Sequence, residues 1–416
     1  MSATKPFAID KWQVYEAYQA VKANAGSAGV DKQSIEAFEE DLKGNLYKIW
    51  NRMSSGSYFP PPVKAVAIPK KNGGVRILGV PTVADRVAQM VVKRVIEPEL
   101  EARFLPDSYG YRPGRSALEA VAVTRQRCWQ YPWVLEFDIK GLFDHIDHAL
   151  LLRALEKHVK CEWAMLYIKR WLTAPLQHAD GTLEERSKGT PQGGVVSPVL
   201  ANLFLHYTFD VWVTKHYPDN SWCRYADDGL VHCRTEQEAQ ALRAVLDVRF
   251  AQCALTMHPD KTKIIYCKDG SRKGVYPNTQ FDFLGYTFRA RTVKNSKKNS
   301  LFVSFTPAVS SKAVTAMRQK TRKLNYRNRT DLSLAELARM HNPILRGWLE
   351  YYGKFCRSAM YPVLRHFNTT LVAWAMKKFK RLKGRRIRAS HLIEGIAERQ
   401  PWLFVHWQRG MTGGFA

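Results

Sequence analysis

The chain has 416 residues, with 64 Lys+Arg against 37 Asp+Glu and a formal net charge of +27. Hydrophobic residues at 45% and aromatics at 12% suffice for packed cores, which excludes wholesale disorder. No run reaches the ~18 apolar residues of a membrane helix, and the N-terminus lacks the apolar core of a secretory signal. The 7 cysteines are odd in number and form no Cys-x-x-Cys pair, which disfavours a disulfide framework and a zinc ribbon. The expectation is a reduced, cytoplasmic protein with no membrane partner.

Residues 8–50 read as helical, with a Gly-rich break at 25–29. Residues 63–69 alternate like a strand, the turn Lys71-Asn-Gly-Gly74 follows, and Val75-Arg-Ile-Leu78 completes a hairpin pattern. The helix predicted from Pro81 to Glu101 has Thr82 as N-cap and Asp85 at N3, in capping-box spacing. Trp133 to Ile139 reads as an apolar strand carrying Glu136 and Asp138, and residues 148–173 as helix. Ser197 is placed as N-cap and Pro198 at N1 of a helix running to Val213. Two strand-like runs, 222–225 and 229–233, flank Asp227-Asp228, and a helix over 236–252 follows its cap Thr235. Residues 264–266 and 281–288 are strand-like, and the basic stretch 291–300 reads as a linker or loop. Beyond Pro307 the pattern is helical to about Phe379, with Gly/Arg-rich breaks near 384–388.

The charge is unevenly placed. Residues 291–416 hold 26 Lys+Arg and 5 Asp+Glu, whereas the first 290 hold 38 and 32. Such a basic tail attracts a polyphosphate backbone, and its densest cluster is 377–388. In 344–355, Leu345, Trp348, Tyr352 and Phe355 recur at helical spacing and read as core. Arg346 and Lys354 lie on another stripe, where they reach phosphates.

Two acidic segments carry the chemistry: Phe137-Asp-Ile-Lys-Gly-Leu-Phe-Asp144 and Tyr225-Ala-Asp-Asp228. Adjacent acids at a tight turn raise each other's pKa and are costly unless a cation neutralises them. An apolar strand ending in a lone Asp is also an odd place for a buried charge. Side by side, Asp138 and Asp227 suit two Mg²⁺ ions about 3.5–4 Å apart. Taken alone, Asp227-Asp228 reads equally well as a solvated turn.

Tyr225-Ala-Asp-Asp228 resembles the Tyr-x-Asp-Asp box of reverse transcriptases, and 137–143 their preceding metal-binding strand. Gly189-Thr-Pro-Gln-Gly-Gly-Val-Val-Ser-Pro198 resembles the nucleotide-site box between them. Residues 68–81 and Tyr109-Gly-Tyr-Arg-Pro-Gly-Arg-Ser116 resemble the fingers motifs of the group II intron type, and 25–31 its N-terminal lid motif. His258-Pro-Asp-Lys-Thr-Lys263 and Phe283-Leu-Gly-Tyr-Thr-Phe288 resemble the rest of the palm, and 346–355 the maturase or thumb motif. The matches run in family order from about residue 25 to 410.

The resemblance implies an RNA-directed DNA polymerase, encoded by a group II intron, that copies intron RNA and assists splicing and mobility. The implied fold class is α+β: a right-hand polymerase with fingers and palm, then a helical thumb/maturase domain. The implied domains are an N-terminal helical extension (1–60), fingers and palm (61–290), and a basic thumb/maturase domain (301–416). Asp138, Asp227 and Asp228 are the implied catalytic aspartates. With the Ile139 carbonyl they would hold two Mg²⁺ ions, for which Mn²⁺ would substitute. Lys70 and Arg76 would grip the triphosphate, Gln192 would meet the incoming nucleotide, and Phe143 would exclude a ribose 2′-hydroxyl. Arg112, Arg115, Leu284, Gly285, Arg346 and Lys354 would touch primer and template. Lys261 or Lys263 would protonate the leaving pyrophosphate. The implied partners are group II intron RNA, an RNA template–DNA primer duplex and dNTPs. The His-Asn-His endonuclease of many relatives is expected to be absent. Competing readings are a domesticated reverse transcriptase in defence or repair, an RNA-binding splicing factor, and an RNA-dependent RNA polymerase, which Phe143 opposes.

Overall fold

The computed structural model describes residues 5–69, 73–295 and 299–415. It divides into two compact units: Met1–Ala120 with Leu135–Lys263, and Val121–Val134 with Ile264–Ala416.

The first unit opens with helices Lys11–Asn24, Ile35–Glu40 and Leu42–Ser54, each started by a side-chain cap (Asp10, Ser34 and Asp41). Strands β1 (Val63–Pro69) and β2 (Val75–Val80) pair antiparallel, Pro69 opposite Val75, as the hairpin pattern predicts. The helix Val83–Glu101 starts at Thr82, whose hydroxyl accepts the Asp85 amide hydrogen at 3.1 Å. The reciprocal half of the expected capping box is missing. The buried Asp85 carboxylate instead accepts from Tyr58 Oη (2.8 Å), Trp171 Nε1 (2.7 Å) and Gln89 Nε2 (2.9 Å). Strand β3 (Trp133–Asp138) follows. The predicted helix over 148–173 is two helices, His148–His158 and Glu162–Thr173. Short strands β4 (Leu176–Gln177) and β5 (Leu183–Glu184) extend the first sheet to the order β2-β1-β4-β5.

Next comes the helix Ser197–Leu205. Ser197 does not cap it: its hydroxyl hydrogen-bonds Thr190 Oγ1 at 2.8 Å and closes the preceding loop. This helix runs through a π-helical turn, His206–Asp210, into Val211–His216. Strands β6 (Trp222–Tyr225) and β7 (Asp228–Cys233) form a tight antiparallel hairpin, and β7 lies beside β3. The helix Glu236–Gln252 carries the full capping box, Thr235 with Glu238.

In the second unit β8 (Lys263–Tyr266) is followed by the sheet β9 (Gln280–Phe283), β10 (Tyr286–Asn295) and β11 (Ser300–Val309), all antiparallel. Here the linker expected over 291–300 is corrected at 291–295 and at Ser300, which belong to a long hairpin paired from Tyr286↔Val309 to Asn295↔Ser300; residues 296–298 lie outside the described residues. The polar composition reflects strands whose outer halves are solvated; Leu301, Phe302 and Val303 are exposed as well. Helices Ser311–Lys323, Leu334–Tyr352, Tyr361–Lys378 and Arg386–Arg399 follow and bury Leu345, Leu349, Phe367, Leu371, Trp374 and Trp407 in one core. Among the described residues no helix is long and apolar enough to cross a membrane.

Candidate active site

The β6–β7 turn pairs Tyr225 with Asp228, leaving Ala226 and Asp227 at its tip. Ala226 takes φ +56°, a left-handed conformation that a non-glycine residue adopts only when its surroundings impose it. The Ile139 amide, one residue past β3, donates to the Asp227 carbonyl at 3.3 Å, so β3 delivers Asp138 to this tip. The Asp138 carbonyl accepts from the His258 amide at 2.8 Å, and Ile139 bridges Met257. Lys261, on the loop that follows, places Nζ 2.7 Å from Asp138 Oδ2.

What imposes the turn is the residue before it. Arg224 is fully buried. Its guanidinium donates to Asp210 Oδ1 (2.7 Å) and Oδ2 (2.6 Å), Ser108 Oγ (2.8 Å), Asn202 Oδ1 (3.1 Å) and the Ala226 carbonyl (3.0 Å). All five of its N–H groups are thus used. Asp210 closes the π-turn, a distortion often retained at functional sites. Asn202 Nδ2 donates to the Gly110 carbonyl at 2.7 Å. A Cβ on Gly110 would stand 2.3 Å from the Ala226 nitrogen, so only glycine lets this segment lie against the turn. Removing one partner of such a buried pair costs about 3–5 kcal/mol, because the other charge is stranded.

The carboxylates press on one another. Burial and then the Asp138 charge raise Asp227 above the usual carboxylate range. Desolvation and the Asp227 and Asp138 charges push Asp228 up to about 7. The hydrogen bond to Asp138 holds the Lys261 ammonium above its ordinary pKa.

Beside this cluster lies the Pro191–Gly194 loop. Gln192 Nε2 donates to both Asp144 oxygens at 3.2 and 3.3 Å, and its Oε1 accepts from Arg76 Nε. The Gln192 carbonyl accepts from the Gly79 amide at 2.9 Å. Gly193 has φ +127°, and a Cβ there would stand 2.4 Å from the Gly79 carbonyl oxygen. Gln89, itself held by Asp85, accepts the Val195 amide at 2.7 Å, so a buried relay fixes the far end of the loop. Phe143 is 9% exposed, with its ring edge-on to Tyr111 at 6.3 Å between centroids.

The structure therefore brings Asp138, Asp227, Asp228 and Lys261 together, and Arg76 together with Gln192. Ile139 sits beside Asp227 with its side chain buried. Lys70 lies outside the described residues. Arg115 is exposed, its guanidinium 5.8 Å from the Tyr109 ring. Arg112 departs from the primer–template expectation. It is buried and spends its guanidinium on Glu101 (2.9 and 3.0 Å from Nε) and on the Leu105 and Ser108 carbonyls (2.6 and 2.7 Å). In the second unit, Leu284 (φ +51°) and Gly285 (φ +80°) form the β9–β10 hairpin turn. The Leu284 carbonyl accepts from Tyr351 Oη at 2.9 Å. Arg346 and Lys354 are exposed.

Arg224, Asp210, Asp144 and Tyr111 were not singled out from the sequence. Asp144 closes the same box as Asp138, which is a usable signal, whereas Asp210 has no local one.

Among the described residues no three Asp, Glu, His or Cys side chains stand at metal-ligand spacing. The donor chemistry nonetheless fits a hard divalent cation. Three carboxylates crowd one turn, two of them with raised pKa values, and a cation relieves that repulsion.

Residues 68–288 match the family described as reverse transcriptase (RNA-dependent DNA polymerase), and residues 314–392 match the group II intron maturase-specific domain. Protein YkfC of Escherichia coli (strain K12) is 30% identical over 285 residues, 59% of this chain and 74% of that protein. The group II intron-encoded protein LtrA of Lactococcus lactis subsp. cremoris is 35% identical over 200 residues, 46% of this chain but 32% of LtrA. A telomerase structure from Candida albicans aligns at TM-score 0.44 and 13% identity, covering 91% of this chain and 68% of that one.

Proposed function

The chain belongs to the reverse transcriptase family of RNA-directed DNA polymerases, of the group II intron maturase type, and from that premise we propose that its first unit extends a DNA primer on an RNA template while its basic second unit holds RNA. The observation that carries the reading is the meeting of Asp138, Asp227 and Asp228 at one turn, beside Arg76, Gln192 and Phe143. Asp138, Asp227, the Ile139 carbonyl and Asp228 would hold two Mg²⁺ ions, or Mn²⁺ in their place. Bound there, the metals supply a primer 3′-hydroxyl of lowered pKa and neutralise triphosphate charge.

The protein's own groups do the rest. Arg76 commits Nε to Gln192 and offers its terminal nitrogens to the triphosphate, and Lys70 of the same sequence motif would join it. Asp144 and Arg76 fix both ends of the Gln192 amide, so the side chain meets the nucleotide pre-oriented. Phe143 walls the sugar side and excludes a 2′-hydroxyl sterically. Lys261, protonated at neutral pH, carries the proton that the leaving pyrophosphate takes up. Arg115 and the β9–β10 turn at Leu284-Gly285 would contact primer and template, and Arg346 and Lys354 RNA phosphates. Arg112 is withdrawn from that set. The bound RNA would be a group II intron, whose splicing the second unit assists.

Primer extension on an RNA template with dNTPs and rNTPs tests the proposal. We expect dNTP incorporation that requires Mg²⁺, and a Phe143→Ala variant that admits rNTPs. Equal use of both nucleotide classes by the unmodified chain would contradict the assignment of Phe143 and of the activity.

A further inference from the structure

The second unit contains a cavity of about 310 Å³ that the catalytic reading does not use. It lies among the helix Ser311–Lys323, the 3₁₀ turn Tyr326–Asn328 and the helix Tyr361–Lys378. Its volume is at the lower end for small-ligand sites, with room for one nucleotide unit. Its lining includes Arg322 and Arg327 and no carboxylate.

The hydrogen-bond bookkeeping of the walls narrows what fits. Thr369 Oγ1 and Thr370 Oγ1 both donate to the His366 carbonyl, at 2.9 and 2.8 Å. A hydroxyl has one proton, so both oxygens have only lone pairs left to offer. Asn325 Oδ1 accepts from Asn328 Nδ2 at 2.6 Å, which leaves the Asn325 amide hydrogens as donors. His366 Nε2 is buried with no partner among the described residues. Burial, then the Arg322 and Arg318 charges, lowers the His366 pKa, so the ring is neutral at pH 7. One side of the cavity thus presents cations and N–H donors, and the other presents acceptors. A bare anion satisfies only the first. A ribonucleotide satisfies both, with its phosphate and its ribose hydroxyl.

We propose that this cavity takes one unpaired ribonucleotide of a bound RNA, its phosphate on Arg322 and Arg327 and its 2′-hydroxyl donating its one proton to the Thr369 or the Thr370 oxygen. The proposal rests on the reading that the second unit holds RNA, and it makes that unit a discriminator of RNA from DNA.

The test uses the full chain and a short single-stranded RNA carrying 4-thiouridine, with a DNA of the same sequence as control. Cross-links are expected on peptides 321–327 and 366–373. Thr369→Val with Thr370→Val should weaken RNA binding roughly fivefold or more, leave DNA binding unchanged, and be rescued by Thr369→Ser with Thr370→Ser. Arg322→Ala with Arg327→Ala should weaken both. Cross-links confined to other peptides, or an equal loss on RNA and DNA in the valine variant, would overturn the cavity assignment while RNA binding itself persists. A chain that binds no RNA at all overturns the assignment together with the reading beneath it.

Discussion

The two units handle charge in opposite ways. In the first, charged side chains go inside with partners: Arg224 and Asp210 are both fully buried as a pair, and Asp85 is buried behind three neutral donors. Charge pays there for geometry, since each of these networks ends on the catalytic turn or the nucleotide-site loop. In the second unit no Lys or Arg of the described residues is fully buried, and the polar groups taken into the core are neutral. His341 and His406 are buried at 0% exposure, and burial pushes both imidazoles down to about 3. The contrast teaches where each unit is vulnerable. The first fails when a partner is removed, and the second when its core is protonated or its surface screened.

The largest effect belongs to the carboxylates. Asp138→Ala should reduce primer extension about 10³-fold or more, as expected when several kcal/mol of transition-state stabilisation are lost. Arg224→Met or Asp210→Leu alone should cost about 3–5 kcal/mol in denaturant melts, and the double variant less than either. If the double variant cost the sum of the two singles, the pair would not act as a unit.

The histidines set an acid limit on the second unit. Their folded-state pKa values lie below the ordinary 6.5, so the unfolded chain binds more protons under that pH. Their contribution is complete above pH 6.5 and is lost as the pH falls from there toward 3. The slope should approach about 1.4 kcal/mol per pH unit for each histidine. Stability followed by melts at stepped pH checks this, and His341→Phe should flatten the curve. The smallest effect is Asp144→Asn, which leaves the Gln192 amide one neutral acceptor in place of two carboxylate oxygens. It should raise the dNTP KM a few-fold, about the value of one hydrogen bond, with little change in kcat under single-turnover conditions.

Much of the first unit was legible because its signals are local. The β1–β2 hairpin, the Thr82 and Thr235 caps and the strands around Asp227-Asp228 each follow from residues within a few positions. Ser197 misleads because it lies inside the helix, one residue past the cap position, where its hydroxyl meets that of Thr190. Residues 291–295 mislead because a strand solvated at its far end has the composition of a loop. Arg112 misleads because a cation in a motif says nothing about the acid, Glu101, that meets it in the fold. The Asp210–Arg224 pair was illegible: 14 residues separate the partners, and a π-turn that no local pattern announces brings them together.

The division of labour between the units is tested most directly by one pair of measurements on Asp227→Asn: binding of an RNA template–DNA primer duplex, and single-turnover dNTP addition to the bound fraction. The account predicts duplex binding within about twofold of the unmodified chain, since backbone affinity comes from cations and an acidic side chain adds none, and incorporation reduced to background. Incorporation retained at full rate on the bound duplex would contradict it.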